Sequence, residues 1–442
     1  MAFRRFTPLV SIVLFVVAII VRLPVAVAQQ TGRRVEKIEV EGLQRLTAAE
    51  VIATSGLKVG APFSINELDA AGQKLFDSGL FKNVAYRTTH KNDQVTIILK
   101  VEEIMGGDSP VVFDNFVWFS ADDLTAAIKR EVPSFTLTAA DTGHMTDDIK
   151  RALQNLLDEK HISGTVEYAP ELMGSKQEHV FSVSGVPIPI CALHFPGAKN
   201  VSEEKLIKSS RQLTDADYSL KNTVAYANFI LFPLYRESGN MLAKFDKPNS
   251  KFDAPGTCKG VDLTIPVDEG PIFLWDKAEW SGNETVSAKD LDEALAMKSG
   301  EVANGLKFDK RLTEVRTLYG NTGHLAVMLN PQPAFDNAAS RVVYKISVKE
   351  GPQYRMGKLN ILGLSEADVR ALEQKWKLKT GDIFDLSYVD RFFASDARAE
   401  TQRITEAMLA AGKPLPPIGS KIKADHQALT ADVIITFKAE PQ

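Results

Sequence analysis

A Ser or Thr stands three residues ahead of a Glu or Asp, at the head of an apolar helix-period segment, at Thr47/Glu50, Ser120/Asp123, Ser287/Asp290 and Ser365/Asp368. Such a pair satisfies two of the orphan backbone donors at a helix start. A weaker member, Ser202 before Lys205, falls in the gap, so successive caps lie roughly 80 residues apart. A chain with that period folds as a series of similar small domains and not around one core.

Two further landmarks keep the same step. Val261, Leu263, Ile265 and Val267 alternate into Asp268-Glu269-Gly270-Pro271, and Val342, Tyr344, Ile346 and Val348 alternate into Lys349-Glu350-Gly351-Pro352. Val95 to Val101 likewise runs into Glu102-Glu103, and Ile435 and Phe437 run towards Glu440-Pro441. The other landmark is a glycine after the second helical segment, at Gly79, Gly239, Gly323 and Gly412, which suits a left-handed helix C-cap.

Residues 35–104 give the order within one repeat. Ile38 and Val40 alternate into Gly42, Thr47 caps a short helix, and Gly60-Ala61-Pro62-Phe63 breaks it. Ser64 and Glu67 open a second helix with Leu68, Ala71, Leu75 and Phe76 on one face. After Gly79, Val84, Tyr86 and Thr88 alternate, and a Lys91-Asn92-Asp93 turn returns the chain along Val95–Val101. The expected fold class is α+β: tandem β-α-α-β-β units, each a three-stranded mixed sheet with two helices on one face, in an elongated rod. The expected boundaries are 35–104, 110–186 (divergent), 187–270, 271–351 and 352–441 (stretched, with one long helical segment from Leu386 to Leu409). Met105-Gly106-Gly107-Asp108-Ser109-Pro110 reads as a linker, and Phe113, Val117 and Phe119 as the second repeat's first strand.

Arg4 and Arg5 precede an apolar stretch from Pro8 to Val21, and Ala26-Val27-Ala28 is a small-residue cleavage site, so residues 1–28 read as a secretory signal peptide. Its removal takes Arg4, Arg5 and Arg22 and moves the formal charge from −4 to −7. A mildly acidic exported chain is a poor partner for nucleic acid. Cys191 and Cys258 are the cysteines, and both fall in the third repeat. The sheet can bring them together, which leaves a disulfide and two free thiols both open.

The β-α-α-β-β order, the strand running into Gly42 or into Gly282-Asn283, the glycine after the second helix and the terminal V-x-E-G-P resemble the POTRA domain. Such domains precede the membrane barrel of BamA-type outer-membrane assembly proteins. In those proteins the last domain leads into a barrel, whereas Pro441 and Gln442 follow Glu440 here, so the expectation is a chain without a barrel of its own. The resemblance implies a periplasmic protein associated with the outer membrane through its partners. Those partners are a barrel protein, unfolded outer-membrane protein precursors, or both, with no small-molecule substrate.

A three-stranded sheet with helices on one face leaves strand edges that accept an extended peptide by β-augmentation. The expected edges follow each second helix: Val84, Tyr86 and Thr88; Thr165 to Tyr168; Met241, Ala243 and Phe245; and Leu325, Val327 and Leu329. The last is the least polar and is the first choice for a partner. Trp118, Trp275, Trp280 and Trp376 read as core or inter-repeat packing, with Trp275 and Trp280 placed to stiffen a joint.

The seven histidines are scattered without metal spacing, and no nucleophile elbow, Walker loop or dinucleotide fingerprint occurs. The expectation is no catalytic residue, no cofactor and no metal; His144, near Asp141, Asp147 and Asp148, is the nearest approach to a polar cluster. Two readings of other classes stand beside a client-binding scaffold: a structural adaptor that spaces envelope components, and an enzyme.

Overall fold

The computed structural model describes residues 32–252, 258–412 and 418–437. The expected signal peptide and Glu440-Pro441 lie outside the described residues.

The first repeat is β1 (Arg34–Glu41), α1 (Ala48–Ser55), α2 (Ile65–Asp77), β2 (Phe81–Lys91) and β3 (Gln94–Glu103). Its sheet has the order β1-β3-β2, with β1 parallel and β2 antiparallel to the central strand. The expected capping box is present: the Glu50 N–H donates to Thr47 Oγ1 and the Thr47 N–H to the Glu50 carboxylate. Leu68, Ala71 and Leu75 of α2 are buried, as are Val95, Ile97 and Leu99 of β3.

The second repeat departs from the plan. It runs β4 (Asp108–Phe113), α3 (Ala121–Glu131), β5 (Thr138–Ala140), α4 (Met145–Glu159), β6 (Thr165–Met173) and β7 (Lys176–Ser184), in a four-stranded sheet of order β5-β4-β7-β6. The first strand therefore begins inside the segment read as a linker, and Val117 and Phe119 lie beyond its end. The glycines and Pro110 concealed a strand whose residues 108–110 pair with β5. No glycine follows α4, but His161 takes the left-handed conformation there, with φ 56°.

The third repeat is β8 (Ile190–His194), α5 (Glu203–Ser209), α6 (Arg211–Thr214), α7 (Leu220–Tyr226), a π-helical turn at Ala227–Leu231, α8 (Phe232–Glu237), β9 (Lys244–Phe245), β10 (Asn249–Phe252), β11 (Val261–Thr264) and β12 (Val267–Asp268). The three-stranded sheet has the order β10-β11-β8, and β9 pairs separately with β12. Pro233 has no N–H to give, and the helix widens just before it, with the Phe232 N–H reaching back to Ala227. Cys191 is the bulged residue of β8 and is joined to Cys258 by a disulfide with Cα atoms 5.8 Å apart.

The fourth repeat is β13 (Leu274–Ser281), α9 (Ala288–Leu295), α10 (Gly305–Gly320), β14 (Met328–Asp336) and β15 (Arg341–Lys349), ordered β13-β15-β14. The fifth is β16 (Arg355–Leu362), α11 (Glu366–Lys375), α12 (Leu386–Arg391), α13 (Arg398–Ala410), β17 (Gly419–Asp425) and β18 (Thr430–Thr436), ordered β16-β18-β17. Turns at residues 392–397 break the expected Leu386–Leu409 helix in two. Phe392 and Ala397 at that break are fully buried, so the chain bends to keep both in the core.

The repeated acidic residue has a structural task. Glu103 accepts the N–H groups of Gln44, Arg45 and Leu46 at 2.9–3.2 Å. Glu269 accepts those of Lys199, Asn200 and Val201, and Glu350 accepts the N–H and hydroxyl of Thr285. In each case the carboxylate at the end of a repeat ties down the turn between its first strand and first helix. That turn needs glycine: Gly42 has φ +92°, and a Cβ there would stand 2.0 Å from the Val101 carbonyl oxygen. Gly197 and Gly282 repeat the arrangement.

The four glycines after the second helices all have positive φ, as the C-cap reading requires. Two of them also build joints. The Phe273 N–H donates to the Gly239 carbonyl, and the Tyr354 N–H to the Gly323 carbonyl, both at 2.8–2.9 Å. Across the first of these joints Arg236 forms a two-pronged ion pair with Asp309 at 2.7 and 3.2 Å. Trp275 and Trp280 do not stiffen this joint. Trp275 is buried in the fourth core, stacked on Tyr344 and against Phe308, and Trp280 donates to Asp292 within the same repeat. Trp118 packs on Phe252, and Trp376 on Tyr388 and Phe392.

The capping interactions predict acid sensitivity. Glu50 is held below the usual carboxylate range by the Thr47 N–H and hydroxyl, and Asp368 by Ser365 and Arg403. Burial pushes Glu350 up, but the bonds from Thr285 outweigh it and leave it low. A carboxylate with a depressed folded pKa contributes stability above its unfolded pKa, and that contribution is lost as pH falls through the folded value. The thermal midpoint should therefore hold from neutral pH down to the ordinary carboxylate range and drop below it. Thr47→Val should flatten the drop for the first repeat.

Candidate docking edges

The expected edge residues separate into two groups. Val84, Tyr86 and Thr88 lie on β2, which pairs with β3 and is an edge of its sheet. Their side chains turn towards α2: the Tyr86 hydroxyl bonds Asp69, and its ring lies 3.8 Å from where a Cβ on Gly72 would stand. Ala85, Arg87 and Thr89 point to solvent. Thr165 to Tyr168 open β6, the edge of the second sheet, where Pro170 interrupts the donors.

The other two segments are not where the sequence put them. Met241 and Ala243 precede β9 and are not in a strand. Met241 packs against the fourth repeat's core, Ala243 is buried in the third, and Phe245, on β9, meets the Tyr235 ring. The edge of the third sheet is β10 instead. Leu325 and Val327 also precede their strand, which begins at Met328. Leu325 packs on the fifth core and Val327 on the fourth. The alternation that suggested a strand is that of a connection whose residues go to two different cores. Leu329 alone of that trio lies on β14.

β14 is a true edge, but it carries Pro331 and Pro333. A proline in a ladder is accommodated where its nitrogen faces away from the partner strand. Two prolines of the same parity therefore remove two successive donors from the free side of β14, a device that discourages pairing. The physical ranking of edges is thus the reverse of the apolarity ranking: β2 is long and free of proline, whereas β14 is obstructed at its centre. Proline at alternate positions was visible in the sequence at Pro331 and Pro333, but it became meaningful only once the strand's start was known.

The polar cluster suggested by sequence is dispersed. His144 Nδ1 lies 3.5 Å from Asp147 with both side chains exposed, and Asp148 pairs with Arg151. Asp141 instead meets buried His179, whose other nitrogen contacts the Tyr168 hydroxyl at 2.9 Å. Among the described residues no group of three or more His, Cys, Asp or Glu could hold a metal ion, and no helix is long and apolar enough to cross a membrane.

Residues 33–104 and 275–351 match the family model for POTRA, the surface antigen variable number repeat. The chain is 20% identical over 384 residues to the outer membrane protein assembly factor BamA of Neisseria meningitidis, an alignment covering 83% of this chain and 46% of that protein. It is 24% identical over 207 residues to a putative outer membrane protein assembly factor of Treponema pallidum, covering 45% of this chain and 24% of that protein. The chain thus spans less than half the length of these relatives. Among solved structures it is similar to POTRA domains 3–5 of Haemophilus influenzae BamA, with 16% identity and a TM-score of 0.39, over 58% of this chain and 100% of that one. Two segments of the chain, 33–104 and 275–351, thus match POTRA, the β-α-α-β-β plan recurs around them, and the chain is similar to the BamA-type outer-membrane assembly factors.

Proposed function

We propose that this protein is an exported, non-enzymatic POTRA scaffold of the periplasm that serves outer-membrane protein assembly or export by binding precursors or a barrel partner through β-augmentation. Residues 1–28 act as its signal peptide, and the five expected repeats are its working parts. The observation that carries the reading is β2, an edge strand of 11 residues without proline. An extended client pairing there gains main-chain hydrogen bonds that ask little of its sequence.

Ala85→Pro and Tyr86→Pro, made separately, sample the two backbone parities of β2. The one whose N–H faces outward removes a donor without breaking the β3 ladder. In intact cells, photocrosslinking from Thr89 should capture a barrel protein or its precursor, and the outward-facing proline should reduce capture at least tenfold. Crosslinking from Gln332 on β14 should give little. Equal capture from both strands, unchanged by either proline in folded protein, would refute β-augmentation at β2 and favour an adaptor that spaces envelope components.

A further inference from the structure

The first repeat contains a cleft of about 440 Å³ between the end of α1 and the face of α2, floored by Val35, Ile97 and Ala71. It adjoins β1, at the opposite side of the sheet from β2, and so stands apart from the docking edge described above.

Comparison of the repeats explains the space. In the first, fourth and fifth repeats the first strand bulges at one place, after Val35, Trp275 and Met356. The backbone of each of these residues exchanges the same two hydrogen bonds with the segment before the second helix: Val35 with Gly60 and Ala61, Trp275 with Gly300 and Glu301, and Met356 with Gly381 and Asp382. Val35 thus stands where the fourth repeat has Trp275. By strand register Ile97 stands where it has Tyr344, and by helix position Leu68 stands where it has Phe308. In the fourth repeat those three rings pack on one another, with centroids 4.1–5.6 Å apart. The first repeat has aliphatic residues at all three positions, and two of them, Val35 and Ile97, line the cleft.

The start of the second helix, on the side facing β14 in the fourth repeat, takes protein in the later repeats. Arg236 of the preceding repeat lies over Gly305, and Leu386 seats on Gly320 of the repeat before it. The corresponding residue of the first repeat, Ile65, is 52% exposed, and Val59 beside the cleft is 63% exposed. Of the charged side chains at the mouth, Glu67 is acidic and Lys58 and Lys74 are basic; neither lysine has an ion-pair partner among the described residues. Lys74 Nζ hangs 4.0 Å from the Cβ position of Gly56, over the end of α1.

We propose that this cleft is a docking site for a partner polypeptide, which inserts one aromatic side chain into the void and sets an acidic side chain against Lys58 and Lys74. The ring that the fourth repeat carries as Trp275 is thus supplied to the first repeat from outside.

The test is an NMR titration of the mature chain with the tripeptide acetyl-Asp-Trp-Ala amide, followed at the Ala71 and Ile97 methyl groups. Saturable shifts are expected, several-fold weaker for acetyl-Lys-Trp-Ala amide and absent for acetyl-Asp-Ala-Ala amide. Val35→Trp, which restores the ring inside the void, should abolish binding without lowering the thermal midpoint. Should that variant misfold, Lys58→Gln with Lys74→Gln should erase the preference for Asp over Lys in a folded chain. Absence of saturable shifts overturns the proposal, as does undiminished binding to folded Val35→Trp. Binding of free indole-3-propionate without binding of the tripeptide would make the site a small-molecule pocket and overturn the polypeptide assignment. Capture at Thr89 is read separately and is indifferent to Val35→Trp.

Discussion

Replacing Glu269 by alanine should destabilise the third repeat by about 3–4 kcal/mol, because three backbone N–H groups lose their shared acceptor in a site too enclosed for water to replace it fully. Those groups belong to Lys199, Asn200 and Val201, and Glu269 as a residue is 7% exposed. Glu269→Gln should cost less, since one amide oxygen still accepts. The measurement is a urea titration followed by backbone NMR or by fluorescence of Trp118, a second-repeat residue whose ring packs against Phe252 of the third. Glu103→Ala should behave alike in the first repeat. A loss below about 1 kcal/mol at both positions would mean that the turn is held by its glycine alone.

Opening the disulfide should have an effect of similar size. The bond between Cys191 and Cys258 closes a loop across a sequence separation of 67 residues. On the chain-entropy account, removing it restores about 4 kcal/mol of freedom to the unfolded state. Cys191→Ser with Cys258→Ser should lower the urea midpoint of the third repeat by a corresponding amount and leave the first repeat unmoved. A reductant should reproduce the shift in the wild-type chain and have no effect on the double variant. Equal midpoints for wild-type and variant would show that pairing of β8 with β11 suffices to hold the sheet closed.

The features legible in the sequence are those written locally. The caps at Thr47, Ser202, Ser287 and Ser365 work because a hydroxyl meets an N–H three residues on. The left-handed glycines follow from backbone sterics at a single residue. The acidic end of each repeat was recognisable as a landmark but not as a ligand, because its partners lie roughly 60 to 70 residues earlier and only the parallel pairing of first and last strands brings them near. Misplacement of the edges at Met241–Phe245 and Leu325–Leu329 has the same origin. A connection whose side chains serve the cores of two neighbouring repeats shows the apolar alternation of a strand, and nothing within five residues tells the two apart. β4 and β5 were hidden for the opposite reason, since Gly107 and Pro110 look like punctuation although the chain there is paired.

The joints made by Gly239 and Gly323 bear on how such a chain changes in length. Each offers a carbonyl to an N–H near the start of the following repeat, at Phe273 and at Tyr354. The two connections are interchangeable parts: an in-frame deletion from Pro271 to Gly351 would bring Tyr354 to Gly239 with the same bond on offer. Duplication or loss of a whole repeat can then be absorbed without inventing a new junction, provided that the side chain at the crossing finds a neighbour that fits: Arg236, which pairs with Asp309, or Asn321, whose Oδ1 accepts the Ser387 N–H at 2.9 Å.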